Sequence, residues 1–197
     1  MGKGIETKEW ILQKSAELFN IRGYEGCSMN DIMAATGLQK GGIYNHFKNK
    51  DDLALEAFDY SFRAVIARFR NRLDKDKTNW DKINSMIDVL AGFYKKPVII
   101  GGCPVFNTAM DSLNTHPLLR KKALDGLENL LKYLEIKISD GIENGEFRVI
   151  ENPRKMASLI LMTIEGGLVL SRIYENEEHV LIASDYVKSH LKERLFK

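Results

Sequence analysis

Residues 28–50 have the types and spacing that binding to a nucleic acid uses. Four polar or amphipathic side chains and a glycine pair lie within eight residues: Gln39, Lys40, Gly41, Gly42, Tyr44 and His46. A glutamine amide can donate to and accept from a base edge, and a lysine can pair with a phosphate. Two glycines cost a helix about 1 kcal/mol each relative to alanine, but their bare backbone can approach a phosphate strand closely. The pattern favours a DNA-binding surface over a strained, solvent-exposed helix end.

Two short helices joined by a glycine turn are predicted to present these residues. Ser28 is a good N-cap, and Asp31 places a carboxylate in the first turn, where the helix dipole favours it. Gly37 ends this helix because glycine adopts the left-handed conformation without a Cβ penalty. A second helix is predicted from about Gln39 to Phe47. This arrangement is typical of a helix-turn-helix, whose second helix enters the major groove of DNA.

A longer set of fixed spacings runs from Thr7 to Leu53. The chain has a helix that ends in an RGY triplet, a helix led by serine, and then a KGxxYxHFxxKxxL stretch. The residues that carry this pattern are Arg22, Gly23, Tyr24, Ser28, Lys40, Gly41, Tyr44, His46, Phe47, Lys50 and Leu53. The segment resembles the DNA-binding domain of the tetracycline-repressor-type (TetR/AcrR) regulators. It departs from their pattern at Cys27 and Gln39, where that family more often has small hydroxyl residues.

The resemblance implies a ligand-responsive repressor that binds double-stranded DNA at a palindromic operator, and it implies that Lys50 reaches a phosphate. The residues predicted to contact DNA are Ser28, Gln39, Lys40, Gly41, Gly42, Tyr44, His46 and Lys50. Net charge gives little support, since the chain carries only +2. Residues 1–72 hold 11 Lys/Arg against 9 Asp/Glu, whereas residues 73–197 hold 18 of each. DNA binding needs a local patch rather than a high total charge.

The remaining periodicity predicts an all-α protein. A three-helix helix-turn-helix domain is expected at residues 1–49, and a larger helical domain for effector binding and dimerisation is expected at 50–197. Helix four is predicted from about Lys50 to Leu73, which is long enough to link two domains. Later helices are predicted at about Trp80–Lys95, Pro104–Leu113, 117–144, Pro153–Tyr174 and Val180–Phe196.

The last two predicted helices have an excess of apolar residues, which has two explanations. One is the core of a monomer, and the other is a self-complementary interface that forms a four-helix bundle with a second copy. The resemblance implies the second. Two half-sites about 34 Å apart also require a dimer. Leu168 and Leu191 are expected interface positions.

An effector pocket is predicted among the middle helices. Methionine and aromatic side chains adapt to ligands of irregular shape, and a few polar groups would orient the ligand. The predicted lining residues are Met86, Phe93, Cys103, Phe106, Asn107, Met110, Tyr133, Met162 and Glu165. Glu165 is an acid inside an apolar helix, so it must be paired, neutral or directed into a polar cavity or interface. Cys103 is interpreted either as a buried inert thiol or as a sensor for electrophiles or oxidants.

Other classes of protein are less well supported. A nucleophile could pair Cys103 with His116, or Ser112 with His116 and Asp111, but nothing marks these residues as a triad. No metal-ligand spacing involves the two cysteines, and no cofactor is expected. A helical ligand carrier without DNA binding would not explain residues 28–50. The N-terminus lacks the apolar core of a signal peptide, and the longest charge-free run is too short to span a bilayer, so a cytoplasmic protein is expected.

Overall fold

The computed structural model describes residues 3–196, and all regular structure in that range is helical. The helices in chain order are α1 (Lys3–Arg22), α2 (Met29–Thr36), α3 (Lys40–Tyr44), α4 (Lys50–Leu73), α5 (Asn79–Ala91), α6 (Pro104–Asp111), α7 (Pro117–Glu143), α8 (Pro153–Ile173) and α9 (Glu178–Leu195). The all-α class and the order of helices predicted from the sequence are confirmed.

The described chain divides into two compact units. Unit 1 contains the residues up to Val65 together with Val98–Gly126, and unit 2 contains Ile66–Pro97 and the residues from Leu127 onward. Helices α4 and α7 each contribute to both units. Unit 1 therefore includes α6 and the start of α7 as well as α1–α3. The functional boundary between residues 49 and 50 stays a prediction.

Unit 1 has an apolar core built from its first four helices, their connecting turns and the segment before α6. Its buried members are Ile11, Leu12, Ala16, Cys27, Ile32, Ile43, Phe47, Leu53, Ala57 and Ile99. A second cluster joins α4 to the start of α7 through Ala54, Phe58, Leu119 and Ala123. Because α2 and α3 are too short to be stable alone, this core is what holds the helix-turn-helix in place.

Unit 2 is organised around α8, which packs against α5 and α9. Helices α8 and α9 approach very closely at Gly167, where an added Cβ would lie 2.6 Å from the Ala183 Cβ. By length and composition α8 could cross a membrane, but half of its apolar window is buried within the protein. The buried half is therefore explained by the position of α8 in the core of unit 2.

Three details differ from the sequence predictions. Helix α3 ends at Tyr44 rather than near Phe47, although the Phe47 amide still donates to the Ile43 carbonyl. Helix α5 ends at Ala91 rather than near Lys95, because tight turns begin at Gly92. Leu168 and Leu191, expected at an interface, are both buried in the core of unit 2. Their apolar character therefore already serves the fold of one chain.

Candidate nucleic-acid interface

Helix α2 is fixed at both ends by the residues that the sequence singled out. The Ser28 hydroxyl accepts a hydrogen bond from the Asp31 amide at 3.2 Å, and the Asp31 carboxylate accepts from the Ser28 amide at 2.8 Å. The Ser28 hydroxyl also donates to the Asp31 carboxylate, and this hydrogen bond, followed by that from the Ser28 amide, holds the pKa of Asp31 below its ordinary value. Gly37 closes the helix with a φ of 71°, and its backbone amide donates a hydrogen bond to the Met33 carbonyl. The predicted N-cap and glycine turn are both present, and Ser28 and Asp31 together form a capping box.

Helix α3 presents polar residues outward from a buried anchor. Ile43 is fully buried, while Gln39, Lys40, Gly41 and Tyr44 are exposed. The Lys40 ammonium lies 5.6 Å from the centre of the Tyr44 ring. This helix has five residues and its N-cap makes no side-chain hydrogen bond, so tertiary packing rather than local capping stabilises it.

Neither the backbone conformation nor the packing within the protein requires glycine at positions 41 and 42. Neither has a positive φ. A Cβ added at Gly41 would meet nothing within 4 Å, and one at Gly42 would make only ordinary contact with Leu38. Both positions would tolerate alanine in the protein itself. The glycine pair therefore favours close approach by an outside partner.

The other predicted DNA contacts lie close to α3 in the sequence. Ser28 is exposed, whereas His46 and Lys50 are half-buried. The Lys50 ammonium lies 4.0 Å from the centre of the Tyr24 ring, a cation–π contact. Cys27, beneath the α2 cap, is buried, and burial raises the pKa of its thiol. That thiol is therefore poorly suited to react.

Two polar networks attach the helix-turn-helix to the α6–α7 segment, defined here as residues 104–126. The Asp111 carboxylate accepts from the Tyr24 amide at 2.7 Å. The side-chain amide of Asn107 donates to the Asn20 side-chain oxygen at 2.9 Å and to the Gly101 carbonyl at 2.8 Å. All five residues belong to unit 1. Asn107, predicted in the effector pocket, thus joins α6 to the end of α1.

The nine predicted pocket residues are distributed over both units. Cys103, Phe106, Asn107 and Met110 belong to unit 1, and Met86, Phe93, Tyr133, Met162 and Glu165 belong to unit 2. Four are almost fully buried, namely Met86, Phe93, Cys103 and Glu165. Burial, with the charges of Asp76 and Asp140, raises the pKa of Tyr133 to about 12. Met110 and Met162 are more than half exposed. Their assignment to one pocket stays a prediction.

The cavities seen in each unit do not gather these residues. A cavity of about 20 Å³ in unit 1 lies between α1, α4 and α6 and could hold a single water. An open groove of about 450 Å³ in unit 2 lies where α8 begins and α9 ends, and its lining includes Arg148, Glu151, Lys155, His190 and Arg194. Neither is lined by any of the nine. Within the described residues no group of His, Cys, Asp or Glu could hold a metal ion.

Helices α8 and α9 carry an exposed apolar face in addition to their buried one. Its members are Met162, Leu170, Ile173, Tyr174, Leu181, Ile182 and Tyr186. On α8 the spacing continues through Gly166, which is also exposed and has nothing within 4 Å of an added Cβ. Exposed apolar patches of this kind often mark interaction surfaces. The exposed α8–α9 face lies on the two helices for which an interface was predicted, and that interface stays a prediction.

Sequence reasoning missed the contacts that fix the turn between α1 and α2. Tyr24 and Asp111 are 87 residues apart, as are Asn20 and Asn107. No periodicity or cap pattern connects residues at such a separation. The useful signal was Gly23, because glycine at that turn (φ 74°) leaves room for another group to approach.

Comparison with known proteins identifies relatives of this chain. The family model "Bacterial regulatory proteins, tetR family" matches residues 11–57, and "Tetracyclin repressor-like, C-terminal domain" matches residues 79–187. A TetR transcriptional regulator from Chloroflexus aurantiacus J-10-FL has 38% sequence identity and a TM-score of 0.95, over 99% of this chain and 98% of that one.

More distant proteins also match this chain. The HTH-type regulator YxaF of Bacillus subtilis is 26% identical over 92% of this chain and 93% of its own. The HTH-type transcriptional repressor AcnR of Corynebacterium glutamicum is 24% identical over 85% of this chain and 82% of its own. A cysteine mutant of the TetR-family regulator CifR, in complex with 26 bp of operator DNA, shares the fold with a TM-score of 0.80 and 17% identity, covering 92% of this chain and 94% of that one.

Proposed function

This chain belongs to the TetR family of DNA-binding transcriptional regulators, and from that premise we propose that it is a repressor that binds a palindromic operator as a homodimer. Binding of a small molecule then releases the operator. The proteins that it resembles are transcriptional regulators rather than enzymes. The observation that carries the proposal is helix α3, which pairs a buried Ile43 with exposed Gln39, Lys40 and a glycine backbone.

Roles on the DNA follow from side-chain chemistry. Lys40, Tyr44, His46, Ser28 and Lys50 contact the phosphate backbone and set the position of α3 in the groove. Gln39 reads an adenine edge, with about 1–3 kcal/mol of discrimination against other bases. The bare backbone at Gly41 and Gly42 lets α3 approach the strand.

The homodimer forms through the exposed α8–α9 face, which makes a four-helix bundle with the same face of a second copy. A twofold dimer uses one patch twice, so the patch must be self-complementary. An apolar stripe on two adjacent helices meets that requirement. Two copies of α3 can then occupy successive major grooves of a palindrome, about 34 Å apart.

Release requires that the effector bind the free form of the protein more tightly than the DNA-bound form. A coupling free energy of about 1–3 kcal/mol lowers operator affinity roughly five- to 150-fold. The proposed effector site includes the buried pocket residues of unit 2, Met86, Phe93 and Glu165, and α4 is the proposed route of transmission because it runs from unit 1 into unit 2. We place this activity in the cytoplasm, where DNA is accessible.

The DNA-binding roles are tested on a duplex that the protein itself selects from a random-sequence library. Affinity is then measured over a series of salt concentrations. Lys50→Ala should weaken binding to all sequences alike and reduce the magnitude of the salt slope by about one unit. Lys132→Ala, which removes an exposed lysine of α7, should leave that slope unchanged. Equal slopes for wild type and Lys50→Ala would show that Lys50 does not contact a phosphate.

The release mechanism is tested by a ligand screen and a thiol reagent on wild type and Cys103→Ser. Release by a reversible ligand that persists in Cys103→Ser supports the pocket. If Cys103→Ser loses only its response to the thiol reagent, a sensor thiol is supported, although Cys103 is only 2% exposed. If neither agent removes the protein from its selected duplex, the effector-release proposal is wrong and a constitutive repressor remains.

A further inference from the structure

Tyr24 connects the DNA-binding helices to the α6–α7 segment through both its backbone and its side chain. Its backbone amide donates to Asp111 at 2.7 Å, and its phenol donates to the Asp51 carboxylate. Its ring meets the His116 ring edge-on, with centroids 4.7 Å apart and planes at 81°. A further partner is Lys50, whose ammonium lies 4.0 Å from the ring centre. One aromatic side chain thus joins α4 to the start of α7.

The contact with Asp111 depends on a glycine. Gly23 has φ 74°, and a Cβ there would lie 2.2 Å from the Asp111 carboxylate oxygen. Only glycine therefore lets this carboxylate reach the Tyr24 amide. Asp111 is the last residue of α6, so the position of α6 determines whether the turn between α1 and α2 is held.

His116 is held in place from the other direction. Its Nδ1 accepts from the Leu119 amide at 3.2 Å, so it caps the start of α7. A ring that accepts at Nδ1 carries its proton on Nε2, and Nε2 lies 3.9 Å from Asp51. The ring cannot leave Tyr24 without disturbing the first turn of α7. Movement of the α6–α7 segment would therefore change the position of the Tyr24 ring.

The Tyr24 phenol remains a donor at neutral pH. Burial and the hydrogen bond to Asp51 both raise its pKa far above the ordinary value for tyrosine. The ring consequently stays neutral and keeps the electron-rich face that attracts an ammonium group. Lys50 has a long flexible side chain, and this face restricts its ammonium to one region.

We propose that Tyr24 is the positioning residue for the DNA phosphate contact of Lys50, and that the α6–α7 segment controls this contact through Asp111 and His116. The inference rests on the proposed role of Lys50 in DNA binding. While Asp111 and His116 are in place, the ring is fixed and the ammonium is oriented before DNA arrives. When the segment withdraws, Lys50 must be ordered on binding and operator affinity falls.

A double-mutant cycle between Tyr24→Leu and Lys50→Ala tests the positioning role, with the selected duplex as the probe. Tyr24→Leu should lower affinity roughly two- to five-fold, the loss expected from one exposed cation–π contact, and move the salt slope towards that of Lys50→Ala. In the Lys50→Ala background it should cause no further loss. Tyr24→Phe keeps the ring and should bind as wild type does, which separates positioning from a general disturbance of the turn.

The same cycle tests control by the α6–α7 segment. Asp111→Ala removes the acceptor for the Tyr24 amide. It should lower affinity for the duplex when Lys50 is present and cause no further loss in the Lys50→Ala background. Asp111→Asn keeps a side-chain oxygen and should bind nearly as wild type does. Thermal unfolding of each variant, at one protein concentration, shows whether unit 1 remains folded.

The outcomes distinguish the two proposals. Equal losses from Tyr24→Leu with and without Lys50 would show a structural role only and would overturn the positioning role. Equal losses from Asp111→Ala in both backgrounds would overturn control by the α6–α7 segment. If Lys50→Ala itself leaves the salt slope unchanged, the proposed phosphate contact fails and the inference falls with it.

Discussion

At the scale of single residues, Gly41 is a position where the effect of a substitution on stability can be distinguished from its effect on DNA binding. Its backbone is helical, and the space around it is open. Glycine in such a position lowers helix stability by about 1 kcal/mol relative to alanine. A residue that weakens its own helix without an internal reason is expected where a partner approaches.

Gly41→Ala should therefore have opposite effects on stability and on DNA affinity. The free energy of unfolding should rise by up to about 1 kcal/mol, because alanine loses less backbone entropy in a helix. Affinity for the selected duplex should fall, since the added methyl group separates α3 from the strand. Thermal unfolding and DNA titration measure the two effects. An increase in stability with unchanged affinity would mean that this backbone does not face DNA.

Local residue roles were predictable from the sequence, and long-range ones were not. Ser28, Asp31 and Gly37 act on neighbours three or four residues away, so their types reveal the capping box and the turn. Tyr24 and Asp111 meet across 87 residues, a separation about which residue type says nothing. The assignment of the nine pocket residues to one site stays a prediction for a related reason, since composition indicates burial but not which buried residues share a cavity.

At the scale of elements, two helices of this chain begin in the same way but serve different units. Ser28 starts α2 and Thr78 starts α5, and each forms a capping box with an aspartate three residues on. Only α2 belongs to the helix-turn-helix. The pair therefore allows the effect of a lost cap on stability to be separated from its effect on DNA binding.

Ser28→Ala and Thr78→Ala should each lower the free energy of unfolding by about 1 kcal/mol, the usual loss from a missing N-cap. For a chain of this length the midpoint of thermal unfolding should fall by roughly 2–4 °C. Only Ser28→Ala should also weaken binding to the selected duplex. A similar loss of affinity in Thr78→Ala would show that general destabilisation, and not the α2 cap, is responsible.

The contact between α8 and α9 provides a second prediction at this scale. Gly167→Ala should lower the free energy of unfolding by about 1–3 kcal/mol, because its Cβ would lie 2.6 Å from Ala183 and 2.9 Å from a backbone oxygen. Gly166→Ala makes the same change one residue earlier, where nothing lies within 4 Å. It should not lower stability. Denaturant unfolding compares them, and equal values would argue against close packing at Gly167.

Helix ends were predicted less well than helix centres, for reasons that the structure shows. The α2 end was correct because Gly37 has a left-handed backbone that only a few residues favour. Helix α5 ends at Ala91 although the apolar spacing continues to Phe93 and Tyr94. Apolar periodicity does not distinguish the last helical turn from the tighter turns that follow it. Tertiary contacts decide such ends.

At the scale of the whole molecule, the exposed α8–α9 face determines the proposed dimer. Leu168 and Leu191 cannot test it because they are buried within one chain. Ile182 is 58% exposed on α9, and Leu118 is equally exposed on α7. The two residues are matched in size and exposure, and only Ile182 lies on the proposed interface.

Ile182→Glu should convert the dimer to monomer, because two buried carboxylates near a twofold axis would lose their hydration and repel each other. Affinity for a palindromic duplex should fall with the dimer. Leu118→Glu should remain dimeric and bind normally. Sedimentation velocity and circular dichroism measure assembly and fold. A folded, dimeric Ile182→Glu protein would show that the interface lies elsewhere.

The composition of unit 1 has a consequence for the order of events during synthesis. Its two segments are separated by residues 66–97, and Asn107 and Asp111 come long after the helices that they hold. At about 5–20 residues per second, the ribosome needs roughly 3–12 s to proceed from residue 65 to residue 126. During that interval α1–α3 lack their contacts with α6. A nascent chain therefore acquires its complete DNA-binding unit only after more than half of it has been translated.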